Sequence, residues 1–246
     1  MSKKIFLSVA IPAFNEEAHL NSTINILIKE LSLLISSFEI IIVNDCSKDE
    51  TGKIADEIAI RDPRIRVFHH KYNQGIGGGY LTAVMNARGE WFIMIPADLA
   101  LEPEELKKYI DASKDSDVIV GIRSSKSDYS IFRKIVSGMN IWLIRLLFRM
   151  QERQFQYICM YRNNLFKKIK IEYYRSAFFH PEILIKAKAL GYKLKEVEIE
   201  YLPRKAGKAT GAKLSFVIMT LKDMFKFWLS GNWRKNDTYC KTNNIR

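Results

Sequence analysis

Glu39-Ile40-Ile41-Ile42-Val43-Asn44-Asp45-Cys46-Ser47-Lys48-Asp49-Glu50-Thr51 reads as a buried strand, a polar turn and the start of a helix. Ile40 to Val43 are all β-branched, with no polar alternation. That is the pattern of a strand covered on both faces, as parallel strands are. Residues 51–61 carry helical periodicity and close a strand–turn–helix unit. The alternation continues on both sides. Upstream, 5–11 is a strand candidate and 16–34 a helix. Downstream, 65–69, 91–95 and 118–120 are strands, with helices at 78–87 and 103–113. Such an order with short loops predicts an α/β fold, a mostly parallel sheet flanked by helices on both faces. Ligands in these sheets bind beyond the carboxyl ends of the strands. The polar clusters at 12–17, 44–51 and 73–79, together with Asp98 and Arg123, all fall there.

The chain has 246 residues, 48% of them hydrophobic, which permits a sizeable core and excludes wholesale disorder. Its formal net charge of +12 suits an anionic partner, whether nucleic acid, phospholipid headgroups or a phosphorylated substrate. The basic residues concentrate after Lys107 but form no recognisable nucleic-acid reading module. Cys46, Cys159 and Cys240 are widely spaced and fit no metal pattern, so free thiols in a reducing compartment are expected. The apolar run at 5–11 is too short for a spanning helix, and no small-residue cleavage site follows it, which predicts a cytoplasmic protein.

Residues 130–150 read as a long helix interrupted by Arg133, Lys134, Arg145 and Arg149. Arg133, Ser137 and Asn140 form one narrow polar stripe. Lys134, Gly138, Arg145 and Arg149 group on another arc. In a second helix, 214–229, Ser215, Lys222, Asp223 and Lys226 share an arc. Both resemble helices lying at an anionic membrane surface with cations near the headgroups; packing on the core is the other reading. The expected organisation is one domain over 1–212 carrying the inserted helix 130–150, an amphipathic helix at 213–230 and a polar tail at 231–246.

Ile11-Pro12-Ala13-Phe14-Asn15-Glu16-Glu17, the 43–51 segment and Asn73-Gln74-Gly75-Ile76-Gly77-Gly78-Gly79 resemble the inverting family 2 glycosyltransferases of GT-A fold, over roughly the first 210 residues. The resemblance implies a nucleotide-diphosphate-sugar donor. It places that donor against Pro12, Phe14, Glu17, Asp45, Gly75, Gly77, Ala97 and Asp98, with Arg204 and Lys208. A carboxylate such as Asp45 or Glu17 can accept hydrogen bonds from base or ribose; Asp45, Ser47 or Asp49 can equally cap the following helix. Asn15 and Glu16 shape the loop. The glycines let backbone approach the nucleotide, or start a helix with small residues.

Gly121-Ile122-Arg123, Arg133, Ser137, Arg204-Lys205-Ala206-Gly207-Lys208 and Lys213 narrow the resemblance to the polyprenyl-phosphate branch, typified by dolichol-phosphate mannose synthases. That branch implies an acceptor phosphate on Arg123, Arg133, Ser137, Arg204 and Lys213, and a catalytic set of Asp98, Arg123, Arg133, Ser137 and Arg204. Guanidinium forks suit phosphate oxygens. Glu182 stands where the family often has an acid before a helix, a position the helix macrodipole also favours. His180 is structural or a minor phosphate contact.

Two departures stand out. Family members usually read Asp-Ala-Asp-x-Gln where this chain reads Pro96-Ala97-Asp98-Leu99-Ala100. Mg²⁺ or Mn²⁺ would rest on Asp98 and the donor's diphosphate; otherwise cationic side chains replace the metal, or the protein binds without turnover. Residues 153–162 also lack the family's acid and Gly-Phe pair, while Tyr161-Arg162 is retained. A glycan or glycolipid acceptor is the alternative to a prenyl phosphate.

Overall fold

The computed structural model describes residues 4–99, 101–124, 131–155, 158–200 and 214–234. Arg204, Lys208, Lys213 and the side chain of Arg133 lie outside the described residues, as does the tail from 235.

The sheet has seven strands in the order β3-β2-β1-β4-β6-β5-β7. The strands are β1 (Leu7–Ala13), β2 (Phe38–Asn44), β3 (Ile65–His69), β4 (Trp91–Met94), β5 (Val118–Arg123), β6 (Cys159–Arg162) and β7 (Leu194–Ile199). β1 pairs in parallel with β2 and β4, β2 with β3, and β5 with β7. β6 runs antiparallel between β4 and β5. The sheet is therefore mixed and mostly parallel, as the alternation predicts. β6 and β7 escape the hydrophobic pattern: β6 has four residues, and β7 reads Leu-Lys-Glu-Val-Glu-Ile, a charged edge strand.

Helices cover both faces. On one side lie α1 (Leu20–Leu34), α2 (Thr51–Arg61) and α4 (Leu106–Ala112). Leu20, Ile24, Leu27 and Leu31, spaced i, i+4, i+7 and i+11, are the fully buried stripe of α1. On the other side lie α3 (Gly75–Asn86), α5 (Ile131–Phe148), α6 (Phe179–Ala189) and α7 (Leu214–Ser230), which contribute Tyr80, Phe148, Ile183 and Phe227 to a second core layer. Two boundaries differ from the pattern. Residues 16–19 are a turn closed by His19 and Leu20 N–H on Glu16 O. α3 begins at Gly75 rather than residue 78, because Gly75 itself supplies the left-handed bend, φ +73°, that enters the helix.

α5 buries Ile144 and Phe148 but turns Ile135, Met139, Trp142 and Leu146 to solvent. α7 buries Met224 and Phe227 and turns out Leu214, Ile218, Phe225 and Leu229. The two helices pack against each other. Among the described residues no helix is long and apolar enough to cross a membrane.

Candidate active site

The loops after β1 and β2 are stitched side chain to backbone. Asn15 N–H donates to Ser47 Oγ (3.0 Å), and Lys48 N–H to Asn15 Oδ1 (2.8 Å). Glu16 N–H donates to Thr51 Oγ1 (2.8 Å), and Glu17 N–H to Asp49 Oδ2 (3.3 Å). In return Glu17 Oε2 accepts Glu50 N–H (2.9 Å) where α2 begins. Burial pushes the Asp49 carboxyl up, but the hydrogen bonds from Thr51 and Glu17 outweigh it and hold it below its usual value. Asn15 and Cys46 both take left-handed backbone here (φ 55° and 62°). The stitching leaves Phe14 exposed at the strand end, with Pro12 half-buried beneath.

Asp45 takes a different part from the two open to it in the sequence. Its Oδ1 accepts Gln74 N–H (2.8 Å) and pairs with His70 Nδ1 (2.7 Å); its Oδ2 accepts Gly75 N–H (2.8 Å). His70 Nε2 pairs in turn with Thr82 Oγ1 (2.8 Å). The carboxylate thus caps α3, not α2, and the residue is 4% exposed. Gly77 likewise serves packing: a Cβ there would come within 1.7 Å of Tyr174 O. The glycine lets the Tyr174 carbonyl seat against α3, beside the helix start that the sequence also offered it.

At the end of β4, Thr23 Oγ1–H donates to Ala97 O (2.7 Å), and Leu99 N–H to Pro96 O (3.0 Å). Pro96 and Ala97 are buried and Asp98 is half-buried. No group of three His, Cys, Asp or Glu converges among the described residues. Hard cations take about six oxygens. Asp98 is the carboxylate of the 96–99 segment, so a Mg²⁺ or Mn²⁺ there would draw its other oxygens from outside that segment.

Arg123 ends β5, is 6% exposed, and has its backbone clamped by the Gln154 amide: Arg123 N–H to Oε1 at 3.2 Å, and Nε2–H to Arg123 O at 3.1 Å. Arg153 pairs with Glu196 (2.8 Å) and Glu198 (2.9 Å). Arg153 and Gln154 therefore strap β5 to β7. Ser137 is half-buried on α5.

Glu182 is fully buried and accepts Glu172 N–H (2.9 Å), Tyr173 N–H (3.0 Å) and Lys186 Nζ (2.5 Å). It pins the 172–173 backbone to α6, so its work goes beyond the macrodipole. Burial pushes its carboxyl upward against the pull of Lys186. Burial also drives His180 down to about 3, leaving a neutral ring edge-on to Tyr80, not a phosphate-binding cation. His180 borders a cavity of about 720 Å³, together with Asn73, Gln74, Arg175, Phe216 and Met219. No sequence motif pointed to Arg175.

The model for glycosyl transferase family 2 matches residues 8–184. The chain belongs to that family. The chain is 28% identical over 211 residues to the glycosyltransferase AglD of Haloferax volcanii, covering 80% of this chain and 33% of the relative. It is 28% identical to the dolichyl-phosphate beta-glucosyltransferase of Dictyostelium discoideum (94% of this chain, 77% of the relative). It is 29% identical to the undecaprenyl-phosphate 4-deoxy-4-formamido-L-arabinose transferase of Proteus mirabilis (86% and 63%). The chain thus spans a third of one relative and larger parts of the others. Among solved structures, mannosyltransferase PcManGT of Pyrobaculum calidifontis, in complex with GDP-Man and Mn²⁺, superposes with TM-score 0.67 at 12% identity (92% of this chain, 65% of that one). S. aureus TarS with UDP-GlcNAc gives 0.61 at 21% (85% and 61%). The fold of this family 2 member is GT-A.

Proposed function

We propose that this family 2 glycosyltransferase moves a sugar, with inversion, from a nucleotide-diphosphate sugar to a polyprenyl phosphate at the cytoplasmic face of a membrane. The observation that carries this reading is the pair of adjoining helices turning apolar stripes outward, Ile135, Met139, Trp142 and Leu146 on α5 and Ile218, Phe225 and Leu229 on α7. Lys134 and Arg145 stand beside the first stripe, Lys222 and Lys226 beside the second, where anionic headgroups would lie. The relatives named for dolichyl and undecaprenyl phosphate support the acceptor class.

The donor is assigned to the crevice at Pro12, Phe14, Glu17, Gly75, Ala97 and Asp98, with Arg204 and Lys208. Asp45 acts behind it, holding α3. Arg123, Arg133, Ser137, Arg204 and Lys213 are assigned to the acceptor phosphate. A phosphate is already ionised at neutral pH, so its oxygen can attack the anomeric carbon without a base while the bond to the nucleotide diphosphate breaks. Glu182, sealed in the core, and His180, neutral, are not needed for proton transfer. What the chain supplies is alignment for in-line attack and positive charge around the departing diphosphate.

The test is incubation of the protein with a short-chain polyprenyl phosphate and a panel of UDP- and GDP-sugars. A glycosyl-phosphoprenol product is expected. Transfer only to a glycan or glycolipid, with prenyl phosphate inert under every donor, would overturn the acceptor assignment.

A further inference from the structure

We infer that Asn140 of α5 is a further contact of the acceptor phosphate, its side-chain amide bonding a phosphate oxygen beside Ser137. The inference rests on the prenyl-phosphate reading above. It keeps the phosphate residues of that reading and adds one from the same helix stripe.

The inner stripe of α5 changes character along its length. Positions 133, 137, 140, 144 and 148 follow the i, i+4, i+7, i+11 and i+15 spacing of one helix face. At its far end the stripe is core, with Ile144 and Phe148 buried in the second layer. Its first half reads Arg133, Ser137 and Asn140. The opposite arc, Ile135, Met139, Trp142 and Leu146, faces solvent. A helix that only packed would do the reverse, with apolar residues inward and polar ones outward. The polar half of the inner stripe therefore needs a use other than packing.

Asn140 is the member of that half whose chemistry is unspent. It is half-buried, and its Oδ1 is sealed from solvent with no hydrogen-bond partner among the described residues. Thr220, the buried polar residue of the neighbouring α7, spends its hydroxyl within its own helix, on Phe216 O at 2.8 Å. An amide buried without a partner costs stability that a leucine of similar size would not. Turned by 180°, the same amide puts its NH₂ where the oxygen stands, with no change of shape. It then offers two N–H donors and adds no charge, which suits an anion already assigned to several guanidinium groups. Residues three apart on a helix have Cβ atoms about 5–6 Å apart, close enough for Ser137 Oγ and Asn140 Nδ2 to reach one phosphate. Ile144, one turn further on and fully buried, ends the polar part of the stripe.

The probe is farnesyl phosphate, titrated calorimetrically into the full chain beside inorganic phosphate, UDP and GDP. Asn140→Leu should weaken farnesyl phosphate by about tenfold, leave the nucleotides unaffected, and keep or raise the urea midpoint. Asn140→Asp has the same shape but sets a carboxylate against the phosphate, so it should weaken farnesyl phosphate further than Asn140→Leu does. The inference is overturned if Asn140→Leu binds farnesyl phosphate like the parent, or if its urea midpoint falls, since the amide would then serve the fold. It is overturned equally if Asn140→Asp binds no worse than Asn140→Leu, or if nucleotide binding falls in parallel, which would give the amide to the donor. Inorganic phosphate binding as tightly as farnesyl phosphate would reject the lipid as its source. Transfer to prenyl phosphate that Asn140→Leu performs unchanged would reject the residue and keep the function; a parent that neither binds nor uses prenyl phosphate would reject both.

Discussion

Single residues in this chain do their work by being taken out of water. His180 is the clearest case. Burial lowers its folded value from 6.5 to about 3, so between those values the unfolded chain binds a proton that the folded chain refuses. Stability is therefore complete above pH 6.5 and falls as the solution is acidified, by about 1.4 kcal/mol per pH unit from this residue. Urea denaturation at pH 6.5 and pH 5 should differ by about 2 kcal/mol from His180, and His180→Phe should remove that part of the difference. An unchanged acid limb in the variant would show that the ring is not buried neutral. Asp98 gives the second residue-scale prediction. Pro96 and Ala97 beside it bring no side-chain oxygen, and their carbonyls accept hydrogen bonds from Leu99 and Thr23. UDP or GDP affinity should be the same in Mn²⁺ and in EDTA, and Pro96→Asp should introduce a metal dependence. A parent affinity that rises by about tenfold with Mn²⁺ would show that one carboxylate suffices.

Elements carry the membrane argument. On α5 and α7 an apolar stripe faces outward as well as inward, and that is the feature needing explanation. Replacing Trp142 and Phe225 together by Glu should abolish flotation with anionic vesicles. Because both side chains are exposed, 60% and 42%, the stability change should stay within about 0.5 kcal/mol each. A variant that still floats would return these helices to the packing reading. Helical periodicity in the sequence located both helices. It did not say which arc would be covered, since polar residues lie on two arcs of α5 and only contact with α7 and the second core layer selects between them.

At the scale of the whole molecule, the proposed membrane contact joins a net charge of +12 to the apolar stripes. The electrostatic part is screened over about 8–10 Å at physiological salt and the apolar part is not. Binding to anionic vesicles should therefore weaken as salt rises, with a residual level that neutral vesicles share. Binding that ignores salt would assign the charge to other partners. The hydrophobic runs determined the α/β class and the parallel part of the sheet by themselves, because those signals are local and periodic. Only the folded chain decided what the polar residues there do. Asp45 reaches His70, Gln74 and Gly75, and Glu182 reaches the 172–173 amides. A carboxylate's role is set by which donors come within hydrogen-bond distance. Those donors belong to segments brought together by the crossovers of the sheet, and so does the cavity at Arg175.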